Sequence, residues 1–362
     1  MNEIDIGCSG DQEKNRAGDL ISDKSLLRSI EYETGGVDHM AKHGRVELES
    51  RLDQQEEIRD ALDQGSIVLI ESMKRQGASY VQAQISQRYF PDNNIDVDLR
   101  KFSIEQPVYI LGNIVNQLNV KLGTEFESLD EIGDYLSSTK QNFLVAIDEL
   151  SALRDYEQDE TRRILELLAL LKGKKSLKFL GQIHRNEISV KVLDSGVTSD
   201  IKRIRIRPLN FNETTSLIDG HFGKYGVAFD EKSIRKIMAL TGGWPAETLT
   251  LVKTFYDESV SWFNPRKTFT ESDIDTAKIE ENFKFDGMIS LIHGIYLQRL
   301  NAMFTADEVS ALTKISIGEH VEDDKIIHTL INWHVVARDE GGQLYIVGDL
   351  FRRCVEESGG FK

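Results

Sequence analysis

Residues 66–79 read Ser-Ile-Val-Leu-Ile-Glu-Ser-Met-Lys-Arg-Gln-Gly-Ala-Ser, and this stretch decides the fold. Ser66 to Ile70 is a short apolar run rich in β-branched residues, which is typical of a buried parallel strand. A polar loop from Glu71 to Gly77 follows, and apolar residues then recur at helical spacing from Ala78 to Tyr89. The stretch therefore predicts a strand, a loop and a helix in immediate succession.

Strand and helix patterns alternate on both sides of this stretch. From Ser25 to Gly65 the pattern is helical. The further predicted strands cover 95–102, 142–147, 177–183 and 201–206, and the further predicted helices cover 108–122 and 161–171. Alternation of this kind predicts a doubly wound α/β domain built around a parallel sheet.

The pattern changes after Pro208, where the strand signal stops. Helical spacing runs from Asn212 to Tyr256, with a break at residues 242–245. Three more helical segments follow from Asp286, and residues 335–347 then predict a two-stranded hairpin. Three helices followed by a hairpin are the plan of a winged helix.

Composition and charge exclude several classes of protein. The 362 residues are 40% hydrophobic and 29% charged, which predicts a globular, soluble chain of two or three domains. Cys8 and Cys354 give no metal spacing and no disulfide framework, so a reducing compartment is expected. No apolar run approaches the roughly 18–20 residues that cross a bilayer, and the N-terminus lacks a secretion signal, so we expect a cytoplasmic location. The net charge of -16 disfavours a dedicated nucleic-acid binder.

The predicted loop compares with the phosphate-binding pattern Gly-x-x-x-x-Gly-Lys-[Ser/Thr]. Gly77 and Ser79 match the second glycine and the hydroxyl, whereas Ser72 replaces the first glycine and Ala78 replaces the lysine. In an intact loop, backbone amides and the helix N-terminus hold the phosphates, the lysine neutralises their charge and the hydroxyl holds Mg²⁺. The sequence here therefore predicts a loop whose backbone amides can hold phosphate but which lacks the lysine that would neutralise phosphate charge.

Other charged residues near this loop leave alternatives open. Lys74 and Arg75 either reach phosphate from another direction or are solvated loop charges. The strand 142–147 ends in Asp148 and Glu149, and such a pair can hold a metal ion and polarise an attacking water. The alternative is a strand that ends in a solvated acidic turn.

The order of these motifs resembles that of the AAA+/STAND P-loop ATPases, and most of all the archaeal-type ATPases and related AAA-like bacterial proteins. Residues 72–79 fall where that family places its Walker A motif, and residues 147–149 fall where it places Walker B. The segment from Gly44 to Leu52 resembles the Gly-Arg-x-x-Glu-Leu segment that lies near the adenine.

Three further segments extend the resemblance over residues 40–355. Gln182, with His184 and Arg185, falls at the position of a polar sensor. Residues 241–245 resemble the Gly-Gly-x-Pro turn of the helical lid, and residues 345–353 resemble the end of the winged-helix module. The implied domains are a flexible N-terminus (1–25), a P-loop NTPase α/β domain (26–208), a helical lid (209–283) and a winged-helix-like domain (284–362).

The resemblance also implies a ligand and residue roles. The ligand is ATP or ADP with Mg²⁺, Asp148 and Glu149 are catalytic, and Ser79 and Asp148 hold the metal. The nucleotide-binding residues that it implies are Arg45, Ser72, Lys74, Arg75, Gln76, Gly77, Ala78, Ser79, Tyr80, Gln182 and Pro245.

Several side chains keep two interpretations. Arg185 is either an arginine finger in an oligomer or a surface arginine. Trp244 and Pro245 either touch a nucleotide base or pack in the core of the lid, and His184 is either a sensor or a buried, hydrogen-bonded histidine.

The winged-helix-like domain suggests DNA, but its charge argues against it. The predicted helix 322–333 is the one that would enter the major groove. Glu322, Asp323 and Asp324 at its N-terminal end would repel phosphates, whereas acids at that position suit the helix dipole. The sequence therefore favours a structural or protein-binding role for this domain.

Three functions remain open. The preferred one is a nucleotide-responsive regulatory or scaffold protein that hydrolyses little ATP and acts through a protein partner or by self-association. The alternatives are an active ATPase, in which Lys74 or a neighbouring subunit supplies the missing cation, and a DNA-associated regulator. No membrane partner is expected.

Overall fold

A parallel sheet of five strands in the order β2-β3-β4-β1-β5 organises the first half of the described chain. The computed structural model describes residues 51–65, 67–99, 109–150, 176–185, 201–223, 226–260, 268–274, 276, 279 and 287–359. The strands are β1 (Ile67–Ser72), β2 (Asn94–Asp98), β3 (Phe143–Asp148), β4 (Leu177–His184) and β5 (Lys202–Arg205). The predicted parallel α/β sheet is confirmed.

Burial explains why these segments form the sheet. Every residue of β1, β3 and β4 is buried, as expected for strands that are covered on both faces. The edge strand β2 alternates between buried and exposed residues, and β5 at the other edge is mostly exposed. The continuous apolar runs of the sequence therefore mark the inner strands.

Within the described part of this domain, four helices cover the two faces of the sheet. They are α1 (Leu52–Gln64), α2 (Ala78–Tyr89), α3 (Tyr109–Leu122) and α4 (Leu129–Thr139). Side chains of α1 and α2 pack with Val68 and Ile70 on one face, and side chains of α3 and α4 pack with Ile67 and Leu69 on the other. The sequence analysis did not predict α4. Its N-terminus is capped by Ser128, whose hydroxyl accepts from the N–H of Glu131.

The C-terminal half is mostly helical. Its helices are α5 (Phe211–Phe222), α6 (Glu231–Thr241), α7 (Pro245–Val260), α8 (Gly287–Met303), α9 (Ala306–Ser316), α10 (Asp324–Asn332) and α11 (Asp349–Gly359). The antiparallel hairpin β8 (Val336–Arg338) and β9 (Leu344–Ile346) lies between α10 and α11. We call residues 287–359 the winged-helix-like segment. A single hydrophobic core joins α5–α7 to this segment.

Some expectations were wrong or lie outside the described residues. Strand pairing does not stop at Pro208, because β6 (Ala228–Phe229) and β7 (Thr268–Phe269) form a short parallel pair. Phe229 and Phe269 stack there, with ring centroids 4.8 Å apart. The predicted helix 161–171 and the segment containing Arg45 lie outside the described residues.

All described residues belong to one compact unit of the chain. The predicted bounds between α/β domain, lid and winged-helix-like domain stay predictions. Within the described ranges, no helix combines the length and apolarity that a membrane span requires.

Candidate functional site

The loop between β1 and α2 forms an open helix N-terminus. Gly77 is the N-cap residue of α2, with φ of 85°, and α2 has no side-chain cap. The first N–H groups of α2 are therefore available to an anion, and the helix dipole favours negative charge there. A Cβ atom on Gly77 would lie 3.2 Å from Nη1 of Arg51 and 3.6 Å from Cγ of Pro245, so both side chains lie beside the loop.

Position 78 contributes no charge to this site. Ala78 is 3% exposed and packs with Val81 and Ile85 in the core under α2. Lys74 and Arg75 are half-buried, and Arg75 has a left-handed φ of 68°. The carbonyl oxygen of Lys74 faces the winged-helix-like segment, as its hydrogen bonds below show.

Three side-chain oxygens meet at the carboxyl edge of the sheet. Oγ of Ser79 lies 3.1 Å from Oδ1 of Asp148 and 3.1 Å from Oε1 of Gln182. These residues come from α2, β3 and β4, and they meet because parallel strands end at the same edge. Hydroxyl, carboxylate and amide oxygens are hard ligands of the kind that Mg²⁺ prefers.

Glu149 lies in a second set of contacts beside these oxygens. Its backbone has a left-handed φ of 60°. Its Oε2 lies 3.2 Å from Nε2 of His184, and Nδ1 of His184 lies 3.1 Å from Oγ of Ser72. Ser72 and His184 are register partners on neighbouring strands, so the sheet itself places them together. His184 is thus a buried, hydrogen-bonded histidine.

This serine, histidine and carboxylate do not form an accessible nucleophilic site. A catalytic serine must reach its substrate, as in the triads of acyl-transfer enzymes. Ser72 has 0% of its surface exposed, at the end of the fully buried β1. The three residues are therefore an internal hydrogen-bonded chain.

Gly181 fixes the path of the chain after β3. A Cβ atom at this position would lie 2.4 Å from Cδ1 of Leu150 and 2.8 Å from Cδ2 of Leu69. Leu150 directly follows Glu149 and packs in the space that the missing side chain leaves. The glycine in β4 thereby helps to hold Glu149 in place.

Arg51 is a residue of the site that the sequence analysis missed. It precedes α1, and its Nη1 and Nη2 donate to the carbonyl oxygens of Gln76 at 2.9 Å and Arg207 at 2.8 Å. Its peptide N–H donates to Oε1 of Glu213. Burial lowers the pKa of Arg51 to about 10, although the charge of Glu213 opposes this. The sequence analysis had Arg51 inside a helical pattern from Ser25 to Gly65, and a single arginine there gave no signal of this role.

Arg207 holds two carboxylates around Arg51. Its guanidinium nitrogens lie 2.7 Å from Oε2 of Glu213 and 2.7 Å from Oδ1 of Asp53. Burial raises the pKa of each carboxyl, but the hydrogen bonds and charge of Arg207 outweigh it, so both pKa values lie below their usual range. Arg51 and Arg207 thus tie α1 and α5 to the loop.

The winged-helix-like segment reaches the loop through Arg299 of α8. Its Nη2 and Nε donate to the carbonyl oxygen of Lys74 at 3.0 and 3.3 Å. The same guanidinium forms a fully buried ion pair with Glu247 of α7 and lies 5.8 Å from the ring centroid of Trp244. Burial raises the pKa of Glu247, although Arg299 opposes this. Trp244 itself is buried in the hydrophobic core of the C-terminal half.

Arg185 provides a second buried link to this segment. It pairs with Glu308 of α9, and its guanidinium carbon lies 4.5 Å from the ring centroid of Phe304 and 5.1 Å from that of Trp333. The expectation of a surface arginine was wrong, because these aromatic rings and the carboxylate bury it.

The candidate DNA-reading helix is capped by its own acid. Oδ1 of Asp323 accepts from the N–H groups of Lys325 at 2.9 Å and Ile326 at 3.1 Å. Asp323 therefore accepts hydrogen bonds from two N–H groups at the N-terminus of α10, where the helix dipole favours a negative charge.

The residues fit part of a Mg²⁺–nucleotide complex. The uncapped N-terminus of α2 suits phosphate oxygens, and the oxygens of Ser79, Asp148 and Gln182 suit the metal. The buried methyl group of Ala78 does not replace the missing ammonium group. The site therefore fits the metal and the phosphate cradle but lacks the main counter-charge.

Comparisons with known proteins show the fold. No protein-family model matches the chain, and no curated protein matches it. A Walker-type ATPase of Pyrococcus abyssi matches with a TM-score of 0.55 and 14% identity, over 84% of this chain and 95% of that one. The Orc1 protein of Aeropyrum pernix, in a complex with DNA, matches with a TM-score of 0.45 and 15% identity, over 85% and 92%. RuvB of Thermotoga maritima matches with a TM-score of 0.45 and 13% identity, over 84% and 94%. The last two scores lie below 0.5 and carry no argument, and the match to the Pyrococcus protein is a likeness of fold.

Proposed function

We propose, on the premise that the chain has the fold of a Walker-type ATPase, that it is a nucleotide-responsive regulatory or scaffold protein. It binds ATP or ADP with Mg²⁺ weakly, hydrolyses little and acts through a protein partner. One observation carries the proposal: Arg299 of the winged-helix-like segment donates to the carbonyl oxygen of Lys74 in the phosphate loop.

The weak binding follows from the charge of the loop. The amides of α2 and the oxygens around Ser79 would hold the phosphates and the metal. Charge-assisted contacts of the missing lysine type are worth about 1.5–3 kcal/mol each. Without one at position 78, both nucleotide affinity and stabilisation of the transition state fall.

The response follows from the contact between loop and segment. A ligand shifts a conformational equilibrium only when it interacts differently with the two states. Phosphates in the loop would change the position or polarisation of the Lys74 carbonyl, and Arg299 is bonded directly to that atom. Nucleotide binding would thereby change the hydrogen bonds between the loop and α8, and with them the surface that the winged-helix-like segment offers to a partner.

The alternatives rest on fewer observations. An active ATPase is favoured by the retained Asp148 and Glu149, with Lys74 or a neighbouring subunit supplying the cation. A DNA-associated regulator is favoured only by the winged-helix-like arrangement, and Asp323 and Asp324 at the end of α10 oppose it. The role of Arg45 near the adenine and that of Tyr80 in the loop stay proposals of the same kind.

Restoring the lysine tests the site directly. In calorimetric titration with Mg²⁺–ATP, we expect Ala78→Lys to bind about 10- to 150-fold more tightly than wild type, which corresponds to about 1.5–3 kcal/mol. Ser79→Ala is expected to weaken binding. Gln87→Lys, which adds the same charge on the exposed face of α2, serves as the matched control and is expected to have little effect.

Three outcomes would contradict the proposal. Equal affinity of Ala78→Lys and Gln87→Lys would mean that the loop is not the phosphate site. Steady turnover by the wild type that Glu149→Gln abolishes would favour the active ATPase. Binding to DNA that falls steeply with salt would instead favour the DNA-associated regulator.

A further inference from the structure

We propose that His184 is a positioning residue that holds the Glu149 carboxylate in a non-catalytic hydrogen bond. Hydrolysis is then blocked at two places, the missing lysine at position 78 and the engaged base at 149. The inference rests on the proposed function, and it assigns the low turnover partly to residues outside the phosphate loop.

The first argument is the geometry of the imidazole. Nε2 of His184 faces Oε2 of Glu149 at 3.2 Å, and Nδ1 faces Oγ of Ser72 at 3.1 Å. An ionised carboxylate only accepts hydrogen bonds, so the proton between them lies on Nε2. Nδ1 then accepts from the Ser72 hydroxyl. Both nitrogens have a suitable partner, and the ring is fixed in one orientation.

The second argument is that the backbone supports this position. Glu149 has a left-handed φ of 60°, which a residue with a side chain adopts only when its surroundings hold it. The hydrogen bond to His184 holds it from one side. Leu150, packed in the space above Gly181, holds it from the other.

The third argument comes from the departure at position 72. Ser72 stands where the phosphate-binding pattern has its first glycine, and a glycine there would offer no hydroxyl to His184. The serine at position 72, where the pattern has glycine, therefore supplies the hydroxyl group that fixes the imidazole of His184. Ser72 is fully buried, so no solvent competes for this contact.

The chemical consequence concerns the role of Glu149 as a base. A carboxylate that activates water must present an oxygen to it within hydrogen-bond distance. Oε2 of Glu149 instead lies in a hydrogen bond with Nε2 of His184, which occupies that oxygen. Release of this contact frees the oxygen.

A matched pair of substitutions tests the idea. The amide of an asparagine at 184 takes the place of Nδ1, so His184→Asn keeps the Ser72 contact and loses Glu149. The longer glutamine reaches the place of Nε2, so His184→Gln keeps the Glu149 contact and loses Ser72. A role in packing alone would make the two variants behave alike.

The first measurement is single-turnover hydrolysis of Mg²⁺–ATP in the Ala78→Lys background. We expect His184→Asn to accelerate turnover by about 10-fold or more, because general-base catalysis is typically worth at least that much. His184→Gln is expected to leave the rate unchanged, and both variants are expected to keep the dissociation constant within about twofold. Adding Glu149→Gln to the accelerated variant is expected to remove the gain.

The second measurement needs no nucleotide and no turnover. Glu149→Ala is expected to lower the urea midpoint of the wild type and of His184→Gln, and to have a much smaller effect in His184→Asn. This is a double-mutant cycle on the contact itself. The cycle uses the full chain and includes only variants that unfold in the same single transition as the wild type.

The outcomes separate the two proposals. Tight nucleotide binding by Ala78→Lys without acceleration by His184→Asn, or equal acceleration by both His184 variants, would overturn this inference alone. Equal urea shifts on both His184 backgrounds would overturn it too. Absence of nucleotide binding by Ala78→Lys would overturn the proposed function.

Discussion

Arg299→Met is expected to lower the free energy of unfolding by about 3–5 kcal/mol, the usual cost of removing one partner of a buried ion pair. Glu247 has no exposed surface, and Arg299 is its ion-pair partner. Without the guanidinium, the Glu247 carboxyl stays buried and loses this ion-pair partner. The methionine also removes the hydrogen bonds to the Lys74 carbonyl, so the loop loses its link to α8.

The pH dependence of this loss provides a second readout. Burial already raises the pKa of Glu247, and removal of Arg299 takes away the charge that opposes this. A carboxyl whose folded pKa is raised contributes stability below its unfolded pKa and loses it as the pH rises through the folded pKa. The deficit of Arg299→Met relative to wild type should therefore be smaller at acidic pH than at pH 8.

Urea unfolding measured at several pH values checks both points. The exposed helical pair of Arg235 and Glu231 offers a control, because Arg235→Met should cost no more than about 1 kcal/mol. Adding Glu247→Leu to Arg299→Met removes the unpaired charge and should recover much of the loss. Similar costs at positions 299 and 235 would contradict the buried pair.

Gly243→Ala is expected to destabilise the chain by about 2–5 kcal/mol, from backbone strain and steric overlap together. Gly243 has a φ of 73°, and a Cβ atom there would lie 2.6 Å from the carbonyl oxygen of Leu209. That oxygen belongs to the backbone, which cannot rotate away as a side chain would. The N–H of Leu209 also donates to the carbonyl of Gly243 at 2.9 Å, so the two segments are fixed to each other.

A second glycine separates strain from overlap. Gly226 has the same φ of 73°, but nothing lies within 4 Å of its Cβ position. Gly226→Ala should therefore cost only the strain, about 1 kcal/mol. Equal losses in urea unfolding would show that the contact with Leu209 is unimportant. Because residues 242–245 place Pro245 beside Gly77, Gly243→Ala should also weaken Mg²⁺–ATP binding by Ala78→Lys.

The helices that the sequence analysis missed show where local patterns fail. α4 begins at a local Ser128 cap that the sequence analysis did not use, α11 packs through Leu350 and Phe351 in the core of the C-terminal half, and the β6–β7 pair is two residues long on each side. Strands of that length have no readable period. Their existence depends on the stacking of Phe229 on Phe269, which are distant in the chain.

The sequence by itself determined the parallel sheet and the edge at which the site lies. Strands buried on both faces must be continuously apolar, so β1, β3 and β4 were readable as runs. The polar residues that follow such runs must meet, because parallel strands end at one edge. The sequence analysis named Ser79 and Asp148 as metal-holding residues and Gln182 as a sensor, and the structure places Oγ of Ser79 3.1 Å from Oδ1 of Asp148 and 3.1 Å from Oε1 of Gln182.

Only the tertiary structure decided which charged residues are buried around the loop. A lone arginine in a helical pattern predicts an exposed position, since an unpaired buried charge is unstable. Arg299 is buried because Glu247 forms an ion pair with it and because the carbonyl oxygen of Lys74, 225 residues earlier in the chain, accepts its hydrogen bonds. Arg51 and Arg185 are buried for the same reason. Partners so distant leave no local signal, so such pairs exist only once the chain has folded.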